Sequence, residues 1–524
     1  MTTPSKSWLA DAVIYEIYPQ SFADTDGDGV GDLPGVIAHL DYLAWLRVDA
    51  IWFNPCFASP FRDAGYDVSD YLQIAPRYGS NDDMVRLIEA AGERGIRVVL
   101  DLVAGHTSSD HPWFQASASD PNDDRYIWAD QDGRQMVPSP GSRPGWYYKN
   151  FYESQPALNF GYARMDPNEP WRQSVDAPGP QQNRAALREI MAFWFDKGIA
   201  GFRVDMAFSL VKDDPGLAAT TELWRELRAW MDESYPDRVI IPEGVEPDAP
   251  GEPAAFHADF FLVINQPHLS LFDNHGAGTL AWTSAADPSF FEQTGRGSPA
   301  RLIHEWTARK ETFGADRLVL LASADHDFSR LASGTRTPDQ QGAAWVFLLT
   351  WGSVPSIYYG DEIGMRYQLG LPDKEGSAYR PTYNRSGVRT PMQWDPDAPN
   401  AGFSTAAAED LYLPIDPDPD RPTVADSRAD ADSNLHLLQR LTTLRRATPA
   451  LRTAATTRVL NTGYPFVYLR GDSHLVVVNP RREPAHAIVE TWRSVTELEA
   501  RGITFDGTTI RADGFSYGIF EIRT

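Results

Sequence analysis

The chain alternates short runs of apolar, β-branched residues with longer segments whose apolar residues recur at helical spacing. An uninterrupted apolar run predicts a strand buried on both faces, as in parallel sheets. Such runs occupy residues 13–18, 50–53, 97–103, 201–205, 239–243, 319–327 and 356–359. Helical periodicity falls between them, over residues 36–46, 81–94, 183–197 and 217–235. This order gives up to eight β/α units, which predicts an α/β fold, a closed (β/α)8 TIM barrel.

Two stretches depart from the alternation. Residues 107–165 are rich in Asp, Ser, Pro, Gly, Trp and Tyr, too polar for a barrel helix, so we expect an inserted subdomain B after strand 3. After a predicted helix over 433–448, short alternating runs replace the helical pattern. They predict a C-terminal antiparallel β domain, a β-sandwich, over residues 449–524. Residues 1–106 and 166–448 then form the barrel.

Three of the predicted strands end in a carboxylate, namely Asp205, Glu243 and Asp327. Strand ends of a barrel meet at its carboxyl-end face, where active sites lie, so we expect the three groups to converge. Two close carboxyl groups are what glycoside hydrolysis requires. Arg203 shares the strand face of Asp205, and its cation would keep that carboxylate ionised. Glu246 is the alternative to Glu243, ranked lower because it lies past the strand and precedes a proline.

Composition narrows the class of protein. The net charge of −25 over 524 residues argues against nucleic acid and anionic membranes as partners. The longest apolar stretch, residues 343–359, contains Gly352 and Pro355 and is therefore not expected to span a membrane. Residues 1–6 show no secretion signal, and a single cysteine, Cys56, fits a reducing compartment, so a cytoplasmic protein is expected. Oligomeric state is not readable from the pattern.

A set of short motifs, in order along the chain, resembles the α-amylase superfamily (glycoside hydrolase family 13). Within it, the likeness is to the branch with oligo-1,6-glucosidase, α-glucosidase, trehalose synthase and sucrose isomerase. The motifs are DLVAGH (101–106), QPALN (155–159), GFRVD (201–205), Glu243, His326-Asp327, GDEIGM (360–365) and RTPMQW (389–394). Each motif is weak alone, but their joint occurrence over the whole length is specific.

The resemblance implies a role for each carboxylate. It assigns Asp205 as nucleophile, Glu243 as acid/base and Asp327 as the acid that binds sugar hydroxyls. Glu243 must hold a proton near neutrality, so we expect an apolar or anionic surrounding that raises its pKa. The same likeness implies a glucose pocket built by further substrate-binding residues: Asp63, Tyr66, His106, Arg203, His326, Arg330 and Arg389.

Within that pocket the resemblance implies distinct contacts. His106 and His326 would hydrogen-bond sugar hydroxyls, and Tyr66 would stack on the innermost ring. Asp63 and Arg389 would close the pocket on a terminal glucose, with Arg330 as a further clamp. The implied activity is a retaining, exo-acting α-glucosidase or transglucosidase of short α-glucosides, working through a covalent β-glucosyl-enzyme.

Two other functions are alternatives to this one. A glucoside isomerase of the trehalose synthase or sucrose isomerase kind would use the same covalent intermediate. A catalytically dead binding barrel would predict a broken triad, whereas all three carboxylates are present.

An acidic loop over residues 24–32 is a second constellation. Asp24, Asp26, Asp28 and Asp32, with the Val30 carbonyl, supply oxygens at alternate positions that suit a hard cation. The twelfth position is Gly35 rather than Glu, which excludes an EF-hand. The loop resembles the structural Ca²⁺ loop of this enzyme branch, so we expect a structural Ca²⁺.

Four positions depart from the family pattern. Gly105 and Asp325 stand where Asn is usual, and Ala157 where Asp is usual. The change to Gly105 would remove a polar contact or a ligand of a second Ca²⁺. The change to Asp325 adds an anion that would raise the pKa of a neighbouring carboxyl group. Met206, directly after the nucleophile, differs from the residues that accompany α-1,4 or α-1,6 preference in this family. The linkage specificity therefore cannot be inferred from the resemblance.

Overall fold

A computed structural model describes residues 7–262, 264–273, 288–328, 330–334, 336–380 and 383–523. Residues 1–6, where we predicted no secretion signal, lie outside the described residues.

Eight parallel strands form the centre of the molecule. They are β1 Ile14–Ile17, β2 Ala50–Phe53, β3 Arg97–Val103, β4 Gly201–Asp205, β5 Val239–Pro242, β6 Ala258–Phe261, β7 Leu318–Ala322 and β8 Val354–Tyr358. They lie in the order β5-β4-β3-β2-β1-β8-β7-β6. The circle closes where His257 N donates to Ile240 O (3.0 Å) and Phe260 N donates to Gly244 O (2.9 Å). The predicted TIM barrel is confirmed.

Burial explains why the strands read as apolar runs. Apart from Arg97 at the start of β3, every residue of the eight strands is buried. One face of each strand fills the barrel interior and the other packs on a helix, so neither face is left to polar residues. Charged side chains within the strands, among them Asp101, Arg203 and Asp259, are accommodated in buried ion pairs.

Twelve helices lie in the described part of the chain. They are α1 Ser7–Asp11, α2 Leu33–Ala38, α3 Leu40–Trp45, α4 Asn81–Glu93, α5 Pro112–Ser117, α6 Pro178–Asp196, α7 Ala218–Ser234, α8 Gln266–Phe272, α9 Ala300–Phe313, α10 Pro338–Thr350, α11 Val424–Ala429 and α12 Asn434–Ala447. The single helix predicted over 36–46 was wrong, because the chain breaks at His39. The His39 ring stacks on Trp394 with centroids 3.6 Å apart, which fixes the break.

The segment after β3 forms a small unit above the barrel. It contains α5 and a three-stranded antiparallel sheet of Trp128–Ala129, Met136–Pro138 and Trp146–Tyr148. Its return to the barrel is tied down where Leu158 N donates to Gly105 O at 3.1 Å. That contact places the inserted segment directly over the end of β3.

Six further strands form the C-terminal part: β9 Thr457–Asn461, β10 Phe466–Arg470, β11 His474–Asn479, β12 Ala485–Ile488, β13 Ser494–Phe505 and β14 Thr509–Arg523. They belong to one antiparallel sheet in the order β9-β10-β11-β14-β12, with β13 paired to β14. We predicted a sandwich here; the described strands are joined by hydrogen bonds into a single sheet. None of the described helices is long and apolar enough to cross a membrane.

Candidate active site

Arg203 on β4 links the predicted catalytic carboxylates. Its guanidinium lies 3.1 Å from Asp205 Oδ1 and 3.4 Å from Glu243 Oε2. It also donates to Asp101 Oδ1 at 3.0 Å, and Asp101 lies in the middle of β3. Because Arg203 is buried, its charge is not screened by water and holds both strand-end carboxylates at one point. The predicted convergence of Asp205 and Glu243 is thus present.

The Asp205–Glu243 pair has a shared electrostatic character. Burial raises the pKa of Asp205 well above its ordinary value, the charge of Glu243 raises it further, and Arg203 opposes both. Glu243 is the more accessible partner, with its side chain 24% exposed against 10% for Asp205. Asp205 therefore keeps a proton to higher pH than an isolated Asp, although Arg203 favours its ionised form. The predicted pKa rise of Glu243 itself stays a prediction.

A backbone contact fixes the position of Glu243. Met206 N donates to Glu243 Oε2 at 2.7 Å. Met206 has a φ of +42°, in the left-handed region that a non-glycine residue rarely adopts. The turn directly after the nucleophile is therefore strained in the conformation that aims its N–H at the second carboxylate.

Asp327 has the opposite electrostatic character. Burial works to raise its pKa, but His326, Arg385 and Arg389 outweigh burial and hold that pKa below the ordinary value. Arg389 Nη2 lies 2.9 Å and Arg385 Nη1 3.2 Å from Asp327 Oδ1. Asp327 is therefore ionised throughout the physiological pH range.

The closed end of the site differs from the prediction in one pairing. We predicted that Asp63 would act with Arg389, but the cation that contacts Asp63 is Arg385, at 2.9 Å. Gln155 Nε2 donates to the other Asp63 oxygen at 2.8 Å. Arg389 lies deeper and also donates from Nε to the His326 carbonyl at 2.8 Å. Arg385 joins Asp63 to Asp327, a role that the sequence analysis missed.

Tyr66 and His326 form a stacked pair beneath the site. Their rings are 5.5 Å apart with an interplanar angle of 13°, and the Tyr66 hydroxyl lies 2.7 Å from His326 Nε2. Burial lowers the pKa of His326 to about 3, so this imidazole is neutral. His326, Arg203 and Arg389 are all buried and support the side chains that face the cavity.

The cavity itself has a volume of about 200 Å³. Six predicted residues line it, namely Asp63, Tyr66, His106, Asp205, Glu243 and Asp327. Five others were not predicted as lining residues: Phe151, Met206, Ile264, Phe328 and Arg385. Met206 and Phe328 directly follow catalytic carboxylates in the sequence, a position that could have identified them. Phe151 and Ile264 lie on irregular segments with no such signal.

Arg330 was predicted as a clamp within the pocket, and this placement is wrong. It is not among the described residues that line the cavity. Its guanidinium is fully buried and donates to the carbonyls of Tyr359 (2.6 Å) and Val388 (2.8 Å). These bonds tie the end of β8 to the segment that carries Arg385 and Arg389, so Arg330 supports the site from outside the pocket.

The acidic loop offers a compact oxygen cluster. Ligand atoms of Asp24, Asp26 and Asp28 all lie within 4.8 Å of one another, which fits a hard cation. Asp32 is outside this cluster. Its oxygens accept from Thr25 N (2.8 Å) and from Gly35 N (2.6 Å), so it caps helix α2. A role of Asp32 as a metal ligand stays a prediction.

One family model and three known proteins are similar to this chain. Residues 16–454 match the model of the alpha-amylase catalytic domain. A trehalose synthase/amylase of Mycobacterium tuberculosis (strain CDC 1551 / Oshkosh) is 30% identical over 551 residues, covering 95% of this chain and 86% of the relative. A glucan 1,6-alpha-glucosidase of Streptococcus pneumoniae serotype 4 is 30% identical over 532 residues, covering 93% and 94%. The crystal structure of an alpha-glucosyl transfer enzyme is 27% identical with a TM-score of 0.77, covering 98% of this chain and 99% of that one.

Proposed function

Because the chain belongs to the α-amylase family, and its relatives include proteins named glucan 1,6-alpha-glucosidase and trehalose synthase/amylase, we propose that it is a retaining, exo-acting α-glucosidase or transglucosidase of short α-glucosides. One observation carries the proposal. Asp205 and Glu243 share the Arg203 cation in a cavity whose other end is closed by the Asp63–Arg385 ion pair. A pocket closed in this way accepts only the terminal sugar of a substrate.

The size of the cavity supports a small substrate. At about 200 Å³ it is smaller than the roughly 300 to 1,000 Å³ typical of pockets for drug-sized ligands. Charged groups at the closed end, namely the buried Asp63 and Arg385 and the partly exposed Asp327, suit the hydroxyls of one sugar ring. A long glucan chain would have to pass through the Asp63–Arg385 pair, which excludes internal cleavage.

The reaction follows from the two carboxyl groups. Asp205 attacks the anomeric carbon while Glu243 gives its proton to the leaving glycosidic oxygen, which yields a β-glucosyl ester on Asp205. Glu243 then takes a proton from water or from an acceptor hydroxyl, and that oxygen displaces Asp205. The anomeric configuration is thereby inverted twice and retained. Arg203 and Met206 N hold the two carboxylates in place through both steps.

A panel of disaccharides with product analysis tests the proposal: maltose, isomaltose, nigerose, kojibiose, trehalose and sucrose. We expect turnover of at least one α-glucoside, with α-glucose as the first product seen by proton NMR. Maltoheptaose blocked at its non-reducing end should resist attack. Absence of any α-glucoside turnover, β-glucose as the first product, or cleavage of the blocked chain would each refute a part of the proposal.

Isomerisation is the second candidate. The names of the similar proteins favour it, since they include a trehalose synthase of Pimelobacter sp. that is 35% identical over 458 residues. An isomerase would return the released glucosyl group to the same acceptor instead of to water. In the same panel it would convert a disaccharide into an isomer faster than it releases glucose.

We also propose a structural Ca²⁺ held by Asp24, Asp26 and Asp28 with the Val30 carbonyl. Bound there, the ion would offset the mutual repulsion of the three carboxylates. We expect EDTA to lower the melting temperature by a few degrees and Ca²⁺ to restore it, since a ligand at 100 times its Kd adds about 2.7 kcal/mol. Replacing Asp26 and Asp28 by Asn should remove this response. The same change at Asp416 and Asp418, which form a similar turn, should leave it intact.

We also propose that the protein is cytoplasmic and binds neither nucleic acid nor membranes. The net charge of −25 supports a protein without nucleic acid or membrane partners, and the lone cysteine supports a cytoplasmic location. Fractionation of the native host cells, with activity followed in each fraction, tests the location.

A further inference from the structure

Asn150 of the inserted segment lies where three parts of the molecule meet. Its Nδ2 donates to His106 Nδ1 (3.1 Å) at the end of β3, and to Ser209 Oγ (3.2 Å) in the loop after β4. Its Oδ1 accepts from Lys212 Nζ at 2.8 Å. Asn150 and Lys212 are each 9% exposed and His106 is 1% exposed, so these contacts are shielded from water.

The orientation of the amide follows from Lys212. The Lys212 amino group donates to Asn150 Oδ1 at 2.8 Å, so the amide oxygen faces Lys212 and the amide nitrogen faces His106. An amide nitrogen can only donate, so His106 Nδ1 must be the acceptor. The proton of the neutral imidazole then resides on Nε2, which donates to the Tyr66 carbonyl at 3.1 Å. Asn150 therefore determines the tautomer of a side chain that lines the cavity.

Gly105 makes room for this arrangement. A Cβ atom at Gly105 would lie 3.0 Å from Asn150 Nδ2 and 2.7 Å from Ser209 Oγ. Both distances are shorter than ordinary contacts, so a side chain at this position would displace the amide. The glycine directly before His106 thus allows a residue of the inserted segment to reach the imidazole.

We propose that Asn150 is a positioning residue that holds His106 in its Nε2–H tautomer, bonded to the Tyr66 carbonyl, at the wall of the cavity in which the glucosyl ring would lie. The inference rests on the proposed function, because it assumes that the ring occupies the cavity lined by His106. It goes beyond that function by giving the inserted segment a part in sugar binding through a residue outside the pocket. Asn150 contacts no reacting atom; it acts through His106.

The surroundings of His106 make its protonation state simple to interpret. Lys212 faces it across Asn150, and burial lowers the pKa of Lys212 to about 7 and that of His106 to about 3. Tyr66 faces it through a backbone carbonyl, and the Tyr71 hydroxyl donates to the His106 backbone carbonyl at 2.7 Å. Neither contact puts a carboxylate on the imidazole. The wild-type ring is therefore neutral at working pH, and only its tautomer is at issue.

Asn150→Asp reverses the chemistry while keeping the shape. A carboxylate accepts from Nδ1–H, so the neutral ring should take the other tautomer and lose its Nε2 proton. At low pH the ring would carry both protons and still donate from Nε2. We therefore expect the kcat/KM of this variant to fall as pH rises through a titration of His106 that is added to any titration of Lys212 already seen in the wild type. Asn150→Ala should instead lose about tenfold in kcat/KM, mainly through KM, at every pH.

Asn159→Ala is the matched control. Asn159 is another buried amide of the inserted segment, and it donates to Asp124 O and Gln173 Oε1 without touching His106. It should lower stability without a new titration. If Asn150 only anchors the segment, all three variants will share the wild-type pH profile, and the proposal is overturned. In a His106→Ala background, replacement of Asn150 should cost nothing further; a full additional loss would also contradict it.

A direct readout separates this inference from the proposed function. In ¹⁵N-histidine-labelled enzyme, with the His106 signal assigned from its absence in His106→Ala, we expect Nε2 to carry the proton in the wild type. In Asn150→Asp we expect the proton on Nδ1. This outcome would support the positioning role even if no α-glucoside were turned over. A proton on Nδ1 in the wild type would overturn it even in a fully active enzyme.

Discussion

Glu246 shows at the scale of single residues why geometry separates two similar carboxylates. It lies three residues after Glu243, yet its Oε2 accepts from Arg317 at 2.8 Å and its Oε1 from Ala255 N at 2.7 Å. It is 1% exposed and is not among the described residues that line the cavity. These contacts commit Glu246 to a buried ion pair and favour Glu243 as the acid/base.

Asp205→Asn tests the nucleophile. The amide cannot form the glucosyl ester, so we expect kcat to fall by about 10⁴-fold or more. Folding should be retained. The folded-state pKa of Asp205 is raised, so its ionisation costs stability as pH rises, and a neutral Asn removes that cost. Steady-state kinetics and thermal melting at pH 7 check both.

Glu246→Gln is the control: it should lower the melting temperature by leaving Arg317 partly unpaired and spare kcat. Activity retained in Asp205→Asn would exclude the assignment.

Arg385→Ala tests the closed end of the pocket. Hydrogen bonds to charged groups contribute about 1.5 to 3 kcal/mol each, and the substitution removes those to Asp63 and Asp327. We expect kcat/KM for a disaccharide to fall by about 100-fold. Arg62→Ala is the matched control, since its exposed pair with Asp110 should contribute little. Equal losses in the two variants would show that Arg385 does not grip the substrate.

Residues at strand ends were predictable, whereas residues on irregular segments were not. The strand period places Arg203 beside Asp205, and the barrel places Glu243 next to both. Arg330, Arg385 and Arg389 instead follow loops, where sequence does not determine the direction of a side chain. Arg330 was consequently placed in the pocket and Arg385 was missed, although Arg330 donates to the carbonyl of Val388, three residues after Arg385.

The turn after β7 depends, at the scale of the element, on the protonation of Asp325. Its Oδ1 accepts from Asp327 N (2.9 Å) and Phe328 N (3.0 Å), which shapes the turn that presents Asp327. Burial, then the charge of Asp327, raises the pKa of Asp325 from 3.8 to about 8. The carboxyl group is therefore largely protonated at neutral pH and resembles an amide there.

Asp325→Asn should consequently stabilise the protein at alkaline pH. A raised folded-state pKa means that the native state binds the extra proton, so stability from this group falls as pH rises from about 4 to about 8. The amide keeps the acceptor oxygen and cannot ionise. We expect the melting temperature of the variant to exceed that of the wild type by a few degrees at pH 8.5 and to match it near pH 4. A wild-type advantage at pH 8.5 would contradict the assignment.

Elements were predictable to the extent that their pattern was local. Strands β1 to β5 and helix α12 were predicted close to their observed bounds, because full burial leaves only apolar residues between their ends. Strand β6 was not identified on its own. It has four residues, and its Asp259 is neutralised by Arg317 from the start of the next unit, a pairing that no local pattern reveals.

A single apolar core joins the barrel to the C-terminal sheet at the scale of the whole molecule. Trp351, at the end of α10, packs against Phe466 and Tyr468 of β10 with ring centroids 5.8 and 5.1 Å apart. The other face of the sheet has a separate cluster around Trp492 and Phe520. The sequence predicted a barrel, an insertion and a β domain. It could not predict which helix the sheet covers, because contacts between distant segments leave no periodic signal.

This shared core predicts that barrel and sheet unfold together. Trp351→Ala removes a fully buried ring from the boundary and should destabilise the protein by about 3 to 5 kcal/mol. Calorimetry should show one transition at a lower temperature, coincident with loss of activity. Trp492→Ala is the control on the far face of the sheet, where the ring packs edge-on against Phe505. If the sheet shares its transition with the barrel, this variant also lowers the temperature of activity loss. Two separate transitions, with activity surviving the first, would show that the sheet is an independent unit.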